Sequence, residues 1–167
     1  MSDIALARAG SQIVAAQTGV PVIEAFFDEA TFTVSYVVHD PQTRQTAIID
    51  SVLDYDPASG RTSTASADRL LAYAEEKGLD IHWLLETHAH ADHLTAAPYL
   101  QQKLAAKIAI GEHIVTVQET FSKLFNVEDG FKPDGSDFDK LFTDGEQFTV
   151  GNLDVIVLMR QATRRPA

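Results

Sequence analysis

Three of the six histidines in this chain fall in one short window, Thr87-His88-Ala89-His90-Ala91-Asp92-His93. With Asp92, the window offers four side chains able to ligate a metal. His88 and His90 stand two positions apart, and on extended chain such residues project to the same side. Two imidazoles placed that way can reach one cation at about 2.0–2.1 Å. Asp92 and His93 begin the next turn and face a second position; Asp92 is also the candidate catalytic residue. The small Ala89 and Ala91 keep the corner uncrowded. Neutral imidazole with carboxylate suits zinc, iron or manganese, and a chain without cysteine has no thiolate for a soft-metal site. A histidine-rich surface turn is the plain alternative, but the placement between a buried strand and a helix favours a ligand cluster.

The elements that must hold this window follow from the pattern around it. Val22–Phe27 is short and apolar, and Thr31–Val38 (TFTVSYVV) is β-branched and aromatic, as strands are. Pro41-Gln42-Thr43-Arg44 is a turn, and Ala47–Ile49 gives a third strand ending at Asp50, so the three form an antiparallel meander. Asp54–Ser66, rich in Ser, Thr, Gly and Pro, is expected to be a loop. Ser66 can cap a helix over Ala67–Lys77 that Gly78 ends. Ile81–Glu86 has the apolar density of a buried strand. Thr95–Ala106 reads as a helix, with Pro98 tolerated in its first turn. Ile108–Ile110 is a short strand and Glu112–Phe125 a helix, followed by an acidic loop over Asn126–Asp139. Phe148–Val150 and Leu153–Leu158 flank Gly151-Asn152, a two-residue hairpin signal. Strands alternating with helices make this an α/β layered domain.

Other residues carry weaker signals. Asp50 is either an ordinary strand-end carboxylate or helix cap, or an acceptor that orients a ligand imidazole. Thr87 can hydrogen-bond beside the site. His39, His82 and His113 are assigned structural or solvated roles, and Trp83 and the phenylalanines are assigned to the core.

The whole-chain composition bounds the function. Its 167 residues allow one ordinary domain, and 45% hydrophobic residues suit a folded rather than a disordered chain. No apolar run approaches the roughly 20 residues that span a membrane. A net charge of −11 argues against nucleic acid or an anionic membrane as partner. The first 20 residues are Ala-rich but interrupted by Asp3, Arg8, Ser11, Gln12 and Gln17, unlike a signal peptide. Residues 1–20 are therefore expected to be a mobile leader, and the cytoplasm is the expected compartment. The charge is uneven: Met159–Ala167 holds Arg160, Arg164 and Arg165 and no acid. Without those three arginines, ten cations face 24 acids, so residues 1–158 carry −14.

His88-Ala89-His90-Ala91-Asp92-His93, following the strand Ile81–Glu86, resembles the signature of the metallo-β-lactamase superfamily. Phe26-Phe27-Asp28, Thr31–Val38, Ala47–Val52, Glu86–Tyr99 and Ile110–Ile114 are similar to one branch, the persulfide dioxygenases and their beta-lactamase-like hydrolase relatives, themselves similar to glyoxalase II. The resemblance implies an αββα sandwich with the metal site at one edge between two sheets, of which residues 21–158 would be the N-terminal portion. In hydrolases of the family, the positions of His88 and His90 hold one metal and those of Asp92 and His93 a second, commonly zinc. In its persulfide dioxygenases a single Fe(II) is held by two His and one Asp; only His88 matches one of these, and His90, Asp92 and His93 would lie around it. The leading expectation is therefore an Fe(II)-dependent oxidation of glutathione persulfide by O2 to sulfite and glutathione; for the full-length family the resemblance also allows a homodimer. The alternatives are a zinc hydrolase of thioesters or lactones, with one or two Zn, and a non-catalytic fragment.

The resemblance stops at Leu158. After such a strand the family continues His-(Thr/Ala)-Pro-Gly-His-Thr-Pro-Ala-Cys-Met-Thr, whose second His is a metal ligand. Deleting one base from the first histidine codon of such a stretch, with synonymous codons freely chosen, gives Met-Arg-Gln-Ala-Thr-Arg-Arg-Pro-Ala and a stop, which is Met159–Ala167. Residues 159–167 are thus expected to be an aberrant basic tail from a frameshift. The downstream ligands would then be missing, metal would bind weakly and exchangeably, turnover would be small, and the first sheet would expose an apolar face.

Overall fold

The computed structural model describes residues 19–90, 93–125 and 131–160. The expected leader and most of the expected tail lie outside them, as does Asp92. The antiparallel meander is present as β1 (Val22–Asp28), β2 (Thr33–His39) and β3 (Gln45–Ile49). It continues across the sheet through three parallel pairings, with β6 (Asp80–Leu85), β8 (Lys107–Gly111) and β9 (Lys140–Phe142). The result is one six-stranded mixed sheet in the order β1-β2-β3-β6-β8-β9.

Residues paired across neighbouring strands point to the same side of a sheet. The row Val37, Ile48, Leu84 and Ile108 faces one way. The next row, Ala25, Tyr36, Ile49, Leu85 and Ala109, faces the other. The first row is buried under two helices, α1 (Ala65–Lys77) and α2 (Ala97–Lys103), which bring Ala67, Leu70, Ala74, Ala97 and Leu100 into the same core. Gly78 ends α1 in the left-handed conformation, with φ 60°, the backbone state glycine adopts without steric cost. Pro98 sits in the first turn of α2. A third helix, α3 (Ile114–Phe125), follows β8. No helix among the described residues is long and apolar enough to cross a membrane.

Several expectations are corrected. The stretch Asp54–Ser66 is not a loop throughout. It contains most of β4 (Val52–Asp56) and all of β5 (Arg61–Ser63), paired antiparallel around a turn that Asp56 and Gly60 close. Ser66 does not cap α1. The helix starts at Ala65, and the Asp54 carboxylate accepts hydrogen bonds from the Ser66 N–H and hydroxyl, placing an anion at the positive end of the helix. Thr95 is not helical but closes a short strand, β7 (Leu94–Thr95), on the edge of β4, and α2 runs from Ala97 only to Lys103 rather than on to Ala106. Strand β9 was not expected; Asp139 ties it in by accepting from the Ile108 N–H. Not all the phenylalanines join the core: Phe32 is 80% exposed, and Phe27, Phe121, Phe125 and Phe131 are also open to solvent.

The second face of the sheet is only partly covered. The hairpin of β10 (Gln147–Val150) and β11 (Leu153–Ile156) turns at Gly151-Asn152 as the sequence signals. It lies against Trp83, whose indole N–H donates to the Thr149 carbonyl and whose ring meets Phe142 and Phe148. The rest of that face leaves Ile23, Phe27 and Tyr36 exposed on β1 and β2.

One buried acid clasps the hairpin to the sheet. Asp40 is 1% exposed and accepts from the Gln42 N–H, the Thr43 hydroxyl and the Asn152 N–H. Burial alone would raise its carboxyl, but these hydrogen bonds outweigh it and hold the group below the usual carboxylate value of 3.8. A group depressed in the folded state stabilises above its unfolded pKa and loses that contribution as pH falls through its folded value. Asp40→Asn is therefore expected to cost about 1–3 kcal/mol near neutral pH. The gap from wild type should close as both proteins are unfolded below pH 3.8 in a denaturant series. Gly151 completes the clasp at φ 62°, where an added Cβ would lie 2.1 Å from Thr43 Oγ1 and 2.5 Å from Asp40 Oδ2. Gly151→Ala should cost about 2–4 kcal/mol, read as a lowered midpoint in thermal unfolding.

Candidate metal centre

The parallel strands β3 and β6 end side by side, and the candidate site is built on their ends. Asp50 follows β3 in the left-handed region, at φ 52°, a conformation that Asp tolerates better than most side chains. Its N–H donates to the Leu85 carbonyl at 2.9 Å, and its carbonyl accepts from the Ser35 hydroxyl at 2.6 Å. Fixed at both backbone groups, its carboxylate is aimed over the end of β6. There Oδ1 accepts from the Thr87 N–H at 2.7 Å, and Oδ2 accepts from the Thr87 hydroxyl at 2.7 Å.

This arrangement sets the proton positions on two imidazoles. The Thr87 hydroxyl has one hydrogen, which goes to Asp50, so toward His88 Nδ1, 2.8 Å away, it can only accept. His88 therefore carries a proton on Nδ1. His90 Nε2 lies 3.0 Å from Asp50 Oδ1, which places a proton on Nε2. His93 Nδ1 lies 3.2 Å from the Thr33 hydroxyl of β2. The three rings follow one another tilted, with centroids 4.1 Å apart at 45° from His88 to His90 and 4.1 Å apart at 47° from His90 to His93.

Glu86, the residue after β6, was not singled out from the sequence. It is 8% exposed, and the Thr95 hydroxyl donates to its Oε1. Its Oε2 is buried without a hydrogen bond and lies 3.6 Å from His90 Nε2. Burial lifts its carboxyl to about 7; the Thr95 hydrogen bond opposes the rise, the Asp50 charge adds to it, and His90 opposes it. An acid on the last position of an apolar strand, directly before the histidine window, is the signal that could have found it. Asp50, Glu86 and His90 place three potential ligand atoms within 4.8 Å of one another. The Asp50 oxygens and His90 Nε2 are already committed to each other and to Thr87, so this trio acts as a clasp on the imidazole. In this arrangement a cation would take His88 Nε2 and His90 Nδ1 as its donors. With the opposite ring nitrogens tied to Thr87 and Asp50, both rings are oriented as a divalent metal requires, so the described residues fit one.

The other histidines stand apart. His39 is buried at the far end of β2, His82 is exposed and pairs with Asp80 at 2.7 Å, and His113 is exposed at the start of α3.

Comparison with known proteins places this site in a family. Residues 28–158 match the model of the metallo-beta-lactamase superfamily, and the chain belongs to it. It is 53% identical over 133 residues to a "Probable metallo-hydrolase" of Burkholderia pseudomallei (strain 1710b), covering 80% of this chain and 45% of the relative. It is 50% identical over 139 residues to a "Beta-lactamase hydrolase-like protein" of Agrobacterium fabrum, covering 83% of this chain and 32% of the relative. The likeness to the human mitochondrial persulfide dioxygenase ETHE1 is more distant, at 31% over 88 residues, or 52% of this chain and 30% of that protein. Among solved structures, ETHE1 from Myxococcus xanthus superposes with a TM-score of 0.56 at 26% identity, over 80% of this chain and 45% of that one. The chain thus spans about half, or less, of the length of the relatives it matches. The superfamily implies a metal ion, with zinc and iron the candidates.

The proton assignment can be measured directly. Long-range ¹⁵N–¹H spectra of the metal-free protein at pH 8 should show His88 protonated at Nδ1 and His90 at Nε2. Asp50→Ala should scramble the His90 tautomer and weaken zinc binding by about 10–100-fold, read by competition with a chelating dye.

Proposed function

We propose that this chain carries the metal-ligating corner of a metal-dependent hydrolase, with thioesters, lactones or related carbonyl compounds as the substrate class and zinc as the metal. The observation that carries this reading is the relay from Asp50 through Thr87 to His88, and from Asp50 to His90, which ties down one nitrogen of each ring and orients both imidazoles. The hydrolase names of the more similar relatives support it over the dioxygenase reading. A metal held by His88 and His90 would supply Lewis acidity and a water activated near neutral pH, with Asp92 and His93 the further ligands that the family resemblance implies. In the hydrolysis, the water oxygen bonds to the carbonyl carbon, the C–S or C–O bond breaks, and the leaving sulfur or oxygen takes a proton. Asp92 is assigned to accept the proton of the attacking water. Asp50 keeps the His90 ring from turning, and Thr87 does the same for His88.

A second reading remains on the strength of the ETHE1 likeness: an Fe(II) site at which O2 oxidises glutathione persulfide to sulfite and glutathione.

Parallel assays separate the two. With excess zinc, and metal content followed by mass spectrometry, the protein should cleave an acyl thioester or a lactone and take up no O2. Loading is expected to be weak and exchangeable, and His88→Ala should abolish it. O2 uptake with glutathione persulfide in the iron-loaded protein, without hydrolysis, would favour the second reading.

A further inference from the structure

The histidine window is closed at its neck by one buried side chain. Glu86 directly precedes Thr87, and Thr95 stands two positions after His93. The Thr95 hydroxyl donates to Glu86 Oε1, so one hydrogen bond joins the two ends of the segment Thr87–Leu94. Each end is itself anchored. The Glu86 N–H donates to the Ala109 carbonyl of β8 at 2.9 Å. Thr95 pairs with Val52 of β4, and the Ala96 N–H donates to the Ser51 carbonyl at 3.0 Å. The Thr95 hydroxyl oxygen also accepts from the Ala97 N–H, 3.0 Å away at the start of α2.

This tie reaches a part of the window that Asp50 does not. Asp50 bonds to Thr87 and His90. Thr95 belongs to the other end, beside His93, whose ring faces Thr33 of β2. Glu86 therefore links the half of the window that carries His88 and His90 to the half that carries His93. A loop whose ends are already joined loses less freedom when a cation gathers its side chains. Burying a carboxyl costs free energy that an apolar residue at the same strand end would not. At 8% exposure, Glu86 is accounted for by what its oxygens hold rather than by core filling.

We propose that Glu86 is a positioning residue for the metal centre. Through Thr95 it fixes the width of the ligand window, and with it the separation of the His88–His90 pair from His93, before any cation arrives. The inference rests on the metal-ligand part of the hydrolase reading and is independent of the reaction that the metal serves.

The test uses the whole chain and zinc. Affinity is read by competition with a chelating dye, and folding is read separately by thermal unfolding. Thr95→Val should weaken zinc about tenfold, and Thr95→Ser, which keeps the hydroxyl, should bind as the wild type does. Glu86→Leu should lose at least as much as Thr95→Val. Adding Thr95→Val to Glu86→Leu should cause no further loss, because the bond is already gone. Thr95→Val alone leaves a Glu86 oxygen buried without a donor, so the double variant should unfold at a higher temperature than Thr95→Val yet bind zinc no better. In ¹⁵N–¹H spectra of the metal-free protein, Thr95→Val should move the His93 ring and leave His88 in place. Gly151→Ala, destabilised at the distant hairpin, should keep its zinc affinity below its unfolding midpoint. Wild-type affinity in Thr95→Val or Glu86→Leu would overturn the proposal. So would Thr95→Ser as weak as Thr95→Val, a double variant weaker than Glu86→Leu, an unmoved His93 ring, or affinity that follows the unfolding midpoint across the series. If Glu86→Leu fails to fold, Thr95→Val against Thr95→Ser decides alone. No readout needs turnover, so failure here leaves the hydrolase reading standing, and a failed hydrolase assay leaves the zinc series intact.

Discussion

The carboxylate of Asp50 is the constraint on which the rest of the site depends. It stands at the end of a buried strand in a backbone conformation that few side chains adopt, held by the Leu85 carbonyl on one side and the Ser35 hydroxyl on the other. Three donors then converge on its two oxygens: the Thr87 N–H, the Thr87 hydroxyl and His90 Nε2. The parallel sheet makes this possible. Because β3 and β6 run the same way and their ends pair Ile49 with Leu85, the chain leaving one passes within hydrogen-bonding distance of the chain leaving the other. A metal-ligand imidazole is useful only in one tautomer and one orientation, and here both are set by a group forty positions away in sequence.

Glu86 adds a second carboxylate to the same ring. Two acids beside one N–H, both largely out of water, would repel each other if both were ionised. The protein lessens this by burying Glu86 enough to raise its carboxyl toward neutrality and by giving Asp50 most of the donors. The asymmetry is one of solvation and hydrogen-bond supply rather than of residue type.

Much of this was legible in the sequence, and the parts that were not share a physical cause. The histidine window, the meander, the glycine stop of α1 and the Gly151-Asn152 hairpin are local patterns, each fixed by residues within a few positions of one another. What escaped depends on distant partners. β7 and β9 are two and three residues long and exist because β4 and β8 offer them an edge. Asp54 caps α1 from twelve positions upstream, where Ser66 looked sufficient by itself. Asp50 had two readings of equal weight in the sequence, because nothing local says where a strand-end carboxylate points. The exposed phenylalanines mislead in the opposite direction: residue type assigns them to a core, but the sheet face and the helix end that carry them are not covered among the described residues.

The clasp between Asp40 and the β10–β11 hairpin also bears on how the chain reaches this structure. Asp40 and Asn152 are 112 positions apart, and Gln45 holds Gly151 across 106. Joining such distant points means closing a very long loop, whose entropy must be overcome before the contact returns any stability. The meander and the helix-covered parallel strands can form from neighbouring segments first. The hairpin is then the last large piece to settle, and the aromatic contacts around Trp83 arise with it. That order makes the fluorescence of the single tryptophan a reporter of the final long-range closure rather than of the initial collapse.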